Sequence, residues 1–216
     1  MLLRVMIYKI SCLVLTVLRI ASLAAEQGFD TRVCEPVGAM RLFLLVGQSN
    51  MAGRGTNYQA DNEPNPAILK LDENNRWVIG VEPVHFDKPR VAGAGLATSF
   101  ARAYVRDNPG VKIGLIPCAV GGSGIDRWIP TGDLFRKALA RARLAERDEE
   151  IVGILWHQGE HDAGDKCLTD AYEEKFRAVV DGFRRELCRE VPFVAGGLGE
   201  YLSEHRNKNG EADIPY

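Results

Sequence analysis

Short unbroken apolar runs alternate along this chain with longer stretches whose apolar residues recur every three or four positions. Residues 42–46 (LFLLV) end at Gly47 and predict a strand buried on both faces. Residues 111–117 (VKIGLIP), 151–156 (IVGILW) and 191–195 (VPFVA) repeat that signature. Between them, residues 95–107 (GLATSFARAYVRD) carry helical apolar spacing, and Asn108-Pro109-Gly110 stops them. Residues 133–147 set Leu134, Phe135, Ala138, Leu139 and Ala142 on one helical face with Arg and Lys opposite. In residues 168–189, Leu168, Tyr172, Phe176, Val179, Phe183 and Leu187 stand at steps of three and four, which predicts one long amphipathic helix. Residues 54–92 are rich in Asn, Pro, Asp and Gly and predict a long irregular connection, a kind of segment that often carries function.

Strands alternating with helices predict a parallel sheet with right-handed crossovers. The expected architecture is a three-layer α/β/α sandwich of the doubly wound kind. Ligands bind such sheets outside the carboxyl ends of the strands, so the segments that follow each strand hold the candidate chemistry. Gly47-Gln48-Ser49-Asn50-Met51-Ala52-Gly53 follows the first. Cys118-Ala119-Val120-Gly121-Gly122-Ser123-Gly124-Ile125-Asp126-Arg127-Trp128 follows the second, and His157-Gln158-Gly159-Glu160-His161-Asp162 the third. A parallel sheet brings all three to one edge.

Composition narrows the class. The 216 residues are 46% apolar and 26% charged, the balance of a globular domain able to bury its own core. A net charge of -2 gives no basic field for a phosphate backbone, so no nucleic-acid partner is expected. Cysteines at 12, 34, 118, 167 and 188 include no CxxC pair. They read as small buried apolar residues, with two disulfides among the last four as the alternative in an exported protein. Residues 1–25 begin with Arg4 and Lys9, continue through an apolar core at 11–18, and end Ser22-Leu23-Ala24-Ala25. They read as a signal peptide or leader, too short and too charged to span a membrane. A secreted or periplasmic location is favoured over a cytoplasmic one.

The chemistry of the edge is that of acyl transfer. Ser49, between small residues on a strand-to-helix turn, suits a nucleophile elbow. The Gly121-Gly122 turn offers unhindered N–H groups to an oxyanion, and Gln158 offers a carboxamide donor. Each has a plainer alternative: a helix N-cap for Ser49, a tight turn for the glycines, a satisfied buried amide for Gln158. His157-x-x-Glu160-His161 matches a zinc-peptidase pattern, which needs both histidines on one helical face. The segment follows a strand and contains Gly159, so zinc hydrolysis is a remote alternative, and neither a metal nor a cofactor is expected. In the 54–92 loop, Trp77, His85 and Phe86 are candidates to wall a sugar site, with core packing the default for Trp77. Arg54, Asp126, Arg127 and Trp128 lie close enough in sequence to contact substrate.

These motifs together resemble the sialate O-acetylesterase-like carbohydrate esterases, family 6 of the SGNH hydrolase superfamily. Gly47-Gln48-Ser49-Asn50-Met51 with Gly53, Pro117-Cys118-Ala119 with Gly121-Gly122-Ser123, and Trp156-His157-Gln158-Gly159-Glu160 with Asp162 carry the resemblance, over about residues 40–202. It implies a flavodoxin-like SGNH fold and serine esterase activity on acetylated carbohydrate, without metal. Ser49 would be the nucleophile. The Ser49 N–H, the Gly122 N–H and the Gln158 side chain would form the oxyanion hole, and Gln48, Asn50 and Glu160 would support it. The family takes its Asp and His from a late D-x-x-H-like block, which this chain lacks before Tyr216. Residues 40–216 therefore read as an esterase domain without its last βα unit, a fragment of a longer protein. The alternatives are an inactive homologue that only binds carbohydrate, and substitution by an in-chain histidine, for which His161 stands best placed. An open sheet edge at that end predicts a chain prone to aggregate.

Overall fold

The computed structural model describes residues 40–56, 63–147, 149–199 and 204. The leader-like segment 1–25, Cys12 and Cys34 lie outside the described residues. Six strands form one mixed sheet: β1 (Met40–Gly47), β2 (Ile68–Leu71), β3 (Trp77–Ile79), β4 (Lys112–Pro117), β5 (Ile151–His157) and β6 (Phe193–Ala195). Their order is β3-β2-β4-β1-β5-β6, and every pairing is parallel except β2 with β3. From β4 to β6 the strands follow 2-1-3-4 in chain order, the arrangement of doubly wound flavodoxin-type sheets.

The helices are α1 (Ser49–Ala52), α2 (Leu96–Asp107), α3 (Asp133–Ala145), α4 (Lys166–Asp170) and α5 (Tyr172–Glu186). Two apolar clusters show the layers. Leu42, Leu44 and Val46 of β1 pack with Leu134, Phe135 and Ala138 of α3 and Val179 and Phe183 of α5. Phe43 and Leu45, which point the other way, pack with Met51 of α1 and Ala97 and Ala101 of α2. Alternate residues of a strand face opposite sides, and both sides of β1 are covered, which is why its sequence is a continuous apolar run. At the far edge Phe193 packs on the first cluster while Val194 stands 60% exposed. Among the described residues no helix is long and apolar enough to cross a membrane.

Three expectations need correction. The 54–92 connection contains a hairpin, β2 and β3, closed by Asp72. Its carboxylate accepts the N–H groups of Asn74 and Arg76, and Asn75 takes a φ of 58°. Arg141 of α3 locks this hairpin by donating to the Leu71 and Asp72 carbonyls and to Asn75 Oδ1. The sheet is therefore not wholly parallel. The helix expected over 168–189 is broken at Ala171. Asp165 starts its first piece early by accepting the Cys167 and Leu168 N–H groups, and the second piece begins with Tyr172, whose hydroxyl reaches back to the third motif. The fourth strand starts at Phe193 because Pro192 has no N–H to give; only its carbonyl joins the ladder, accepting Ile154 N–H at 2.9 Å.

Candidate active site

β1, β4 and β5 are parallel neighbours that end at Gly47, Pro117 and His157, so the three polar segments leave the sheet on one edge. Gly47 makes the first departure sterically feasible. Its φ is 135°, and a Cβ there would overlap the His157 carbonyl oxygen. The same carbonyl accepts Gln48 N–H at 2.9 Å, and Gly47 O accepts Val120 N–H at 3.0 Å. These two bonds stitch the first motif to the third and to the second.

Gln48, not Ser49, occupies the N-cap position of α1, and no side chain caps that helix. Ser49 is thus the first helical residue, partly exposed, with its hydroxyl not spent on a cap. Neither that hydroxyl nor the Ser49 N–H has a partner among the described residues. The Gly122 N–H is likewise without an acceptor among them. Gly122 is exposed, with a φ of 75°, and a Cβ at that position would approach only Lys88 Nζ, at 3.9 Å.

Gln158 is 3% exposed and sits where the three motifs meet. Its Nε2 faces Gln48 Oε1 at 3.2 Å, the Ser123 carbonyl at 3.0 Å and the Asp162 carboxylate. An amide nitrogen carries two protons, so three acceptors oversubscribe it. Gln158 in this geometry ties the first, second and third motifs together. Asp162 is 1% exposed and also accepts the Ile125 N–H, at 3.1 and 3.3 Å to its two oxygens. It thereby anchors the one-turn 3-10 helix Ile125–Arg127 that follows the glycine turn. Ser123 completes the joint by accepting Trp128 Nε1 on its hydroxyl at 2.9 Å.

A second cluster flanks Ser49. Glu160 Oε1 accepts Asn50 Nδ2 and lies 3.7 Å from His157 Nδ1. Glu160 Oε2 and His157 Nδ1 are buried and have no hydrogen-bond partner among the described residues. His161 is exposed. Its N–H reaches Gln48 Oε1 at 3.3 Å, and its imidazole lies against Gly124, where a Cβ would come within 2.7 Å of Cδ2. The 157–161 segment is not a helix: His157 closes β5, a turn covers Glu160 and His161, and the 3-10 helix begins only at Asp162. Its two imidazoles therefore face different neighbours, and the single helical face of the zinc-peptidase pattern is not formed.

Other candidates have structural partners. Trp128 is fully buried, edge-on to Trp156 at 5.7 Å. Arg127 pairs with Asp133 and Asp126 with Lys175. Trp77 packs on the first core cluster. Phe86 lies under the Arg141 guanidinium, 5.2 Å from its ring centre. His85 is buried, and burial pushes its pKa down to about 3, leaving the ring neutral. Arg54 donates to Gly53 O and to Asp87 Oδ2, both at 2.7 Å.

Sequence reasoning passed over two contributors. Tyr172 donates to the Gln158 carbonyl at 2.8 Å and accepts Trp156 Nε1 at 3.3 Å. Burial raises its pKa to about 12, so it remains a donor. Nothing but its place at the helix junction set it apart. Asp87, in the long connection, accepts both Arg54 Nη2 and Gly121 N–H at 2.7 Å, and no motif marks it. Beside Gln158 opens a cavity of about 360 Å³ walled by Trp156, Tyr172, Phe176 and Leu198.

Comparison with known proteins gives a consistent set. Residues 39–214 match the family described as "Carbohydrate esterase, sialic acid-specific acetylesterase". The probable carbohydrate esterase At4g34215 of Arabidopsis thaliana is 31% identical over 194 residues, covering 79% of this chain and 75% of that protein. The X-ray structure of that Arabidopsis protein matches with a TM-score of 0.66 at 30% identity, over 74% of this chain and 73% of the other. The crystal structure of NanS shares the fold, with a TM-score of 0.64 at 20% identity over 77% and 70% of the two chains. So does XAC1771, a carbohydrate acetylesterase from Xanthomonas citri, at 0.54 and 22% over 73% and 40%.

Proposed function

The chain belongs to the carbohydrate esterase family of sialic acid-specific acetylesterases, and from that membership we propose that it is a serine esterase removing O-acetyl groups from sugars or polysaccharides. Ser49 Oγ attacks the acetyl carbonyl carbon and gives its proton to a base. The carbonyl oxygen becomes an oxyanion, met by the N–H groups of Ser49 and Gly122. Breaking the bond to the sugar oxygen leaves acetyl-Ser49, and that oxygen takes the proton. Water then attacks the acyl group, acetate leaves, and Ser49 regains its proton.

The observation that carries this reading is the state of Ser49. Its hydroxyl is uncommitted, and on the same edge two backbone N–H groups, its own and that of Gly122, lack acceptors among the described residues. Donors left open where charge develops are the mark of an oxyanion hole. For Gln158 to serve as the third donor, one of its N–H groups leaves the Ser123 carbonyl or Gln48 for the substrate oxygen. Glu160 holds Asn50, the residue after the nucleophile, and Gln48 holds the third motif through His161. His161, exposed beside the glycine turn, is the best placed of the described histidines to substitute as that base. The acid digest of a reaction with an aryl acetate tests it: the peptide containing Ser49 is expected to carry an acetyl group, absent from Ser49→Ala.

One observation favours a second reading, sugar binding without turnover. No histidine among the described residues hydrogen-bonds Ser49 Oγ, and without a base a serine hydroxyl is a weak nucleophile at neutral pH. Binding of acetylated sugar with no acetyl adduct and no acetate release would establish that reading instead.

A further inference from the structure

The two proposed oxyanion donors come from different segments, so something must fix their separation. The glycine turn is poorly held by its own chain. Val120 N–H is tied to Gly47 and Ser123 N–H to Val120 O at 3.3 Å. Between these bonds Gly121 and Gly122 have the wide torsional freedom of glycine.

Asp87 supplies the missing restraint. Its side chain is 4% exposed. One carboxylate oxygen accepts Gly121 N–H and Arg54 Nη2, each at 2.7 Å. Arg54 in turn donates through Nη1 to Gly53 O, and Gly53 N–H donates to Ser49 O at 2.9 Å. A continuous path therefore runs from Ser49 through Gly53, Arg54 and Asp87 to the Gly121 N–H, one residue before Gly122. The fit is close: a Cβ on Gly121 would overlap the Arg54 guanidinium. The bonds are charge-assisted, the stronger class. The burial of Asp87 opposes ionisation, but Arg54 and the Gly121 and Lys88 N–H groups outweigh it and hold the carboxyl below its ordinary range.

We propose that Asp87 is a positioning residue for the oxyanion hole, pinning the Gly121-Gly122 turn to the back of the Ser49 helix so that the two N–H donors keep one spacing. This rests on the esterase reading for its catalytic meaning, while the pin itself can be read without any turnover. Pinning Gly121 N–H leaves the next N–H, that of Gly122, as the one presented outward. Arg54 is on this account a strut and makes no substrate contact.

The test uses the full chain, labelled with 15N-glycine, as wild type, Asp87→Ala, Asp87→Asn and Thr98→Val. Thr98 is a buried partner of Glu82 at 2.7 Å, outside the path from Ser49 to Asp87, and serves as a stability control. Amide exchange at Gly121 should quicken at least tenfold in Asp87→Ala, with β1 and β4 glycines unchanged, and should be largely restored in Asp87→Asn, which keeps an acceptor. Unchanged Gly121 exchange in Asp87→Ala would overturn the pin whether or not the protein turns over. On an aryl acetate, kcat should fall about a hundredfold in Asp87→Ala with KM little changed, the size seen when an oxyanion donor is lost. Asn should recover most of that, and Thr98→Val should leave kcat unchanged while lowering the melting temperature. A kcat fall in Thr98→Val matching that of Asp87→Ala, or quickened Gly121 exchange with unaltered kcat, would overturn the positioning role. If wild type releases no acetate, the esterase reading fails, and the exchange data alone decide the pin.

Discussion

Replacing Asp162 should be among the most damaging single changes in the domain, although no substrate is expected to touch it. Its carboxylate, 1% exposed, accepts Ile125 N–H and Gln158 Nε2. In Asp162→Ala the Ile125 N–H is left buried without an acceptor, at a cost of about 1–3 kcal/mol. Gln158 keeps Gln48 Oε1 and the Ser123 carbonyl, so it exchanges a charge-assisted bond for a neutral one and loses about 1 kcal/mol. The total is about 2–4 kcal/mol, a large share of the about 5–15 kcal/mol that holds a typical domain. Asp162→Asn should cost less than Asp162→Ala, because its Oδ1 in the place of Oδ2 still accepts both Gln158 Nε2 and Ile125 N–H, with the charge lost from those bonds. Urea unfolding measures this directly: with an m-value of about 2 kcal/mol/M, the midpoint should fall by about 1–2 M at unchanged slope. A midpoint equal to or above that of wild type would show that the buried charge costs more than its two bonds return, and would refute the reasoning.

Other consequences are as concrete. His85 is held neutral in the fold at a pKa of about 3, below its unfolded value of about 6.5. Its contribution is therefore intact above about pH 6.5 and is lost as pH falls towards 3. Wild type should lose about 2 kcal/mol between pH 7 and pH 5 through this residue, and His85→Leu, followed by urea midpoints at both pH values, should not. Gly47→Ala combines a φ of 135° with overlap on the His157 carbonyl and should cost about 2–6 kcal/mol from strain and overpacking; a melting temperature within a degree of wild type would contradict that. Burial pushes the Cys118 thiol up to about 12, whereas Cys167 and Cys188 are exposed. Iodoacetamide at pH 8 should thus alkylate the latter two and spare Cys118 in peptide maps of the native protein.

The parts of the fold that could be read in advance are those whose burial is symmetric. β1, β4 and β5 are covered on both faces, so burial wrote a continuous apolar run into each. α2 and α3 each face one layer and show a clean stripe. The β2–β3 hairpin was hidden because strands of four and three residues are too short for a period to show, and they are held by Asp72 and Arg141 as much as by apolar burial. The single long helix failed at Ala171 because the apolar spacing runs on through the break. A capping carboxylate at Asp165 and a tyrosine turned towards Gln158 are side-chain events with no periodic trace. The placement of Ser49 and the glycine turn on one sheet edge was legible because each follows a buried parallel strand. Asp87 was not, since its importance comes from Arg54 and Gly121, which stand 33 and 34 residues away. The reading of Trp128 as a substrate contact followed sequence proximity, whereas the core claims that side chain.

Acetate release by wild type and Ser49→Ala, from an aryl acetate and from an O-acetylated sugar, tests the central claim most directly. Wild type should release acetate from both substrates, and Ser49→Ala, folded to the same melting temperature, should be slower by about a thousandfold or more. Equal rates in the two proteins, or no acetate from either, would contradict the account.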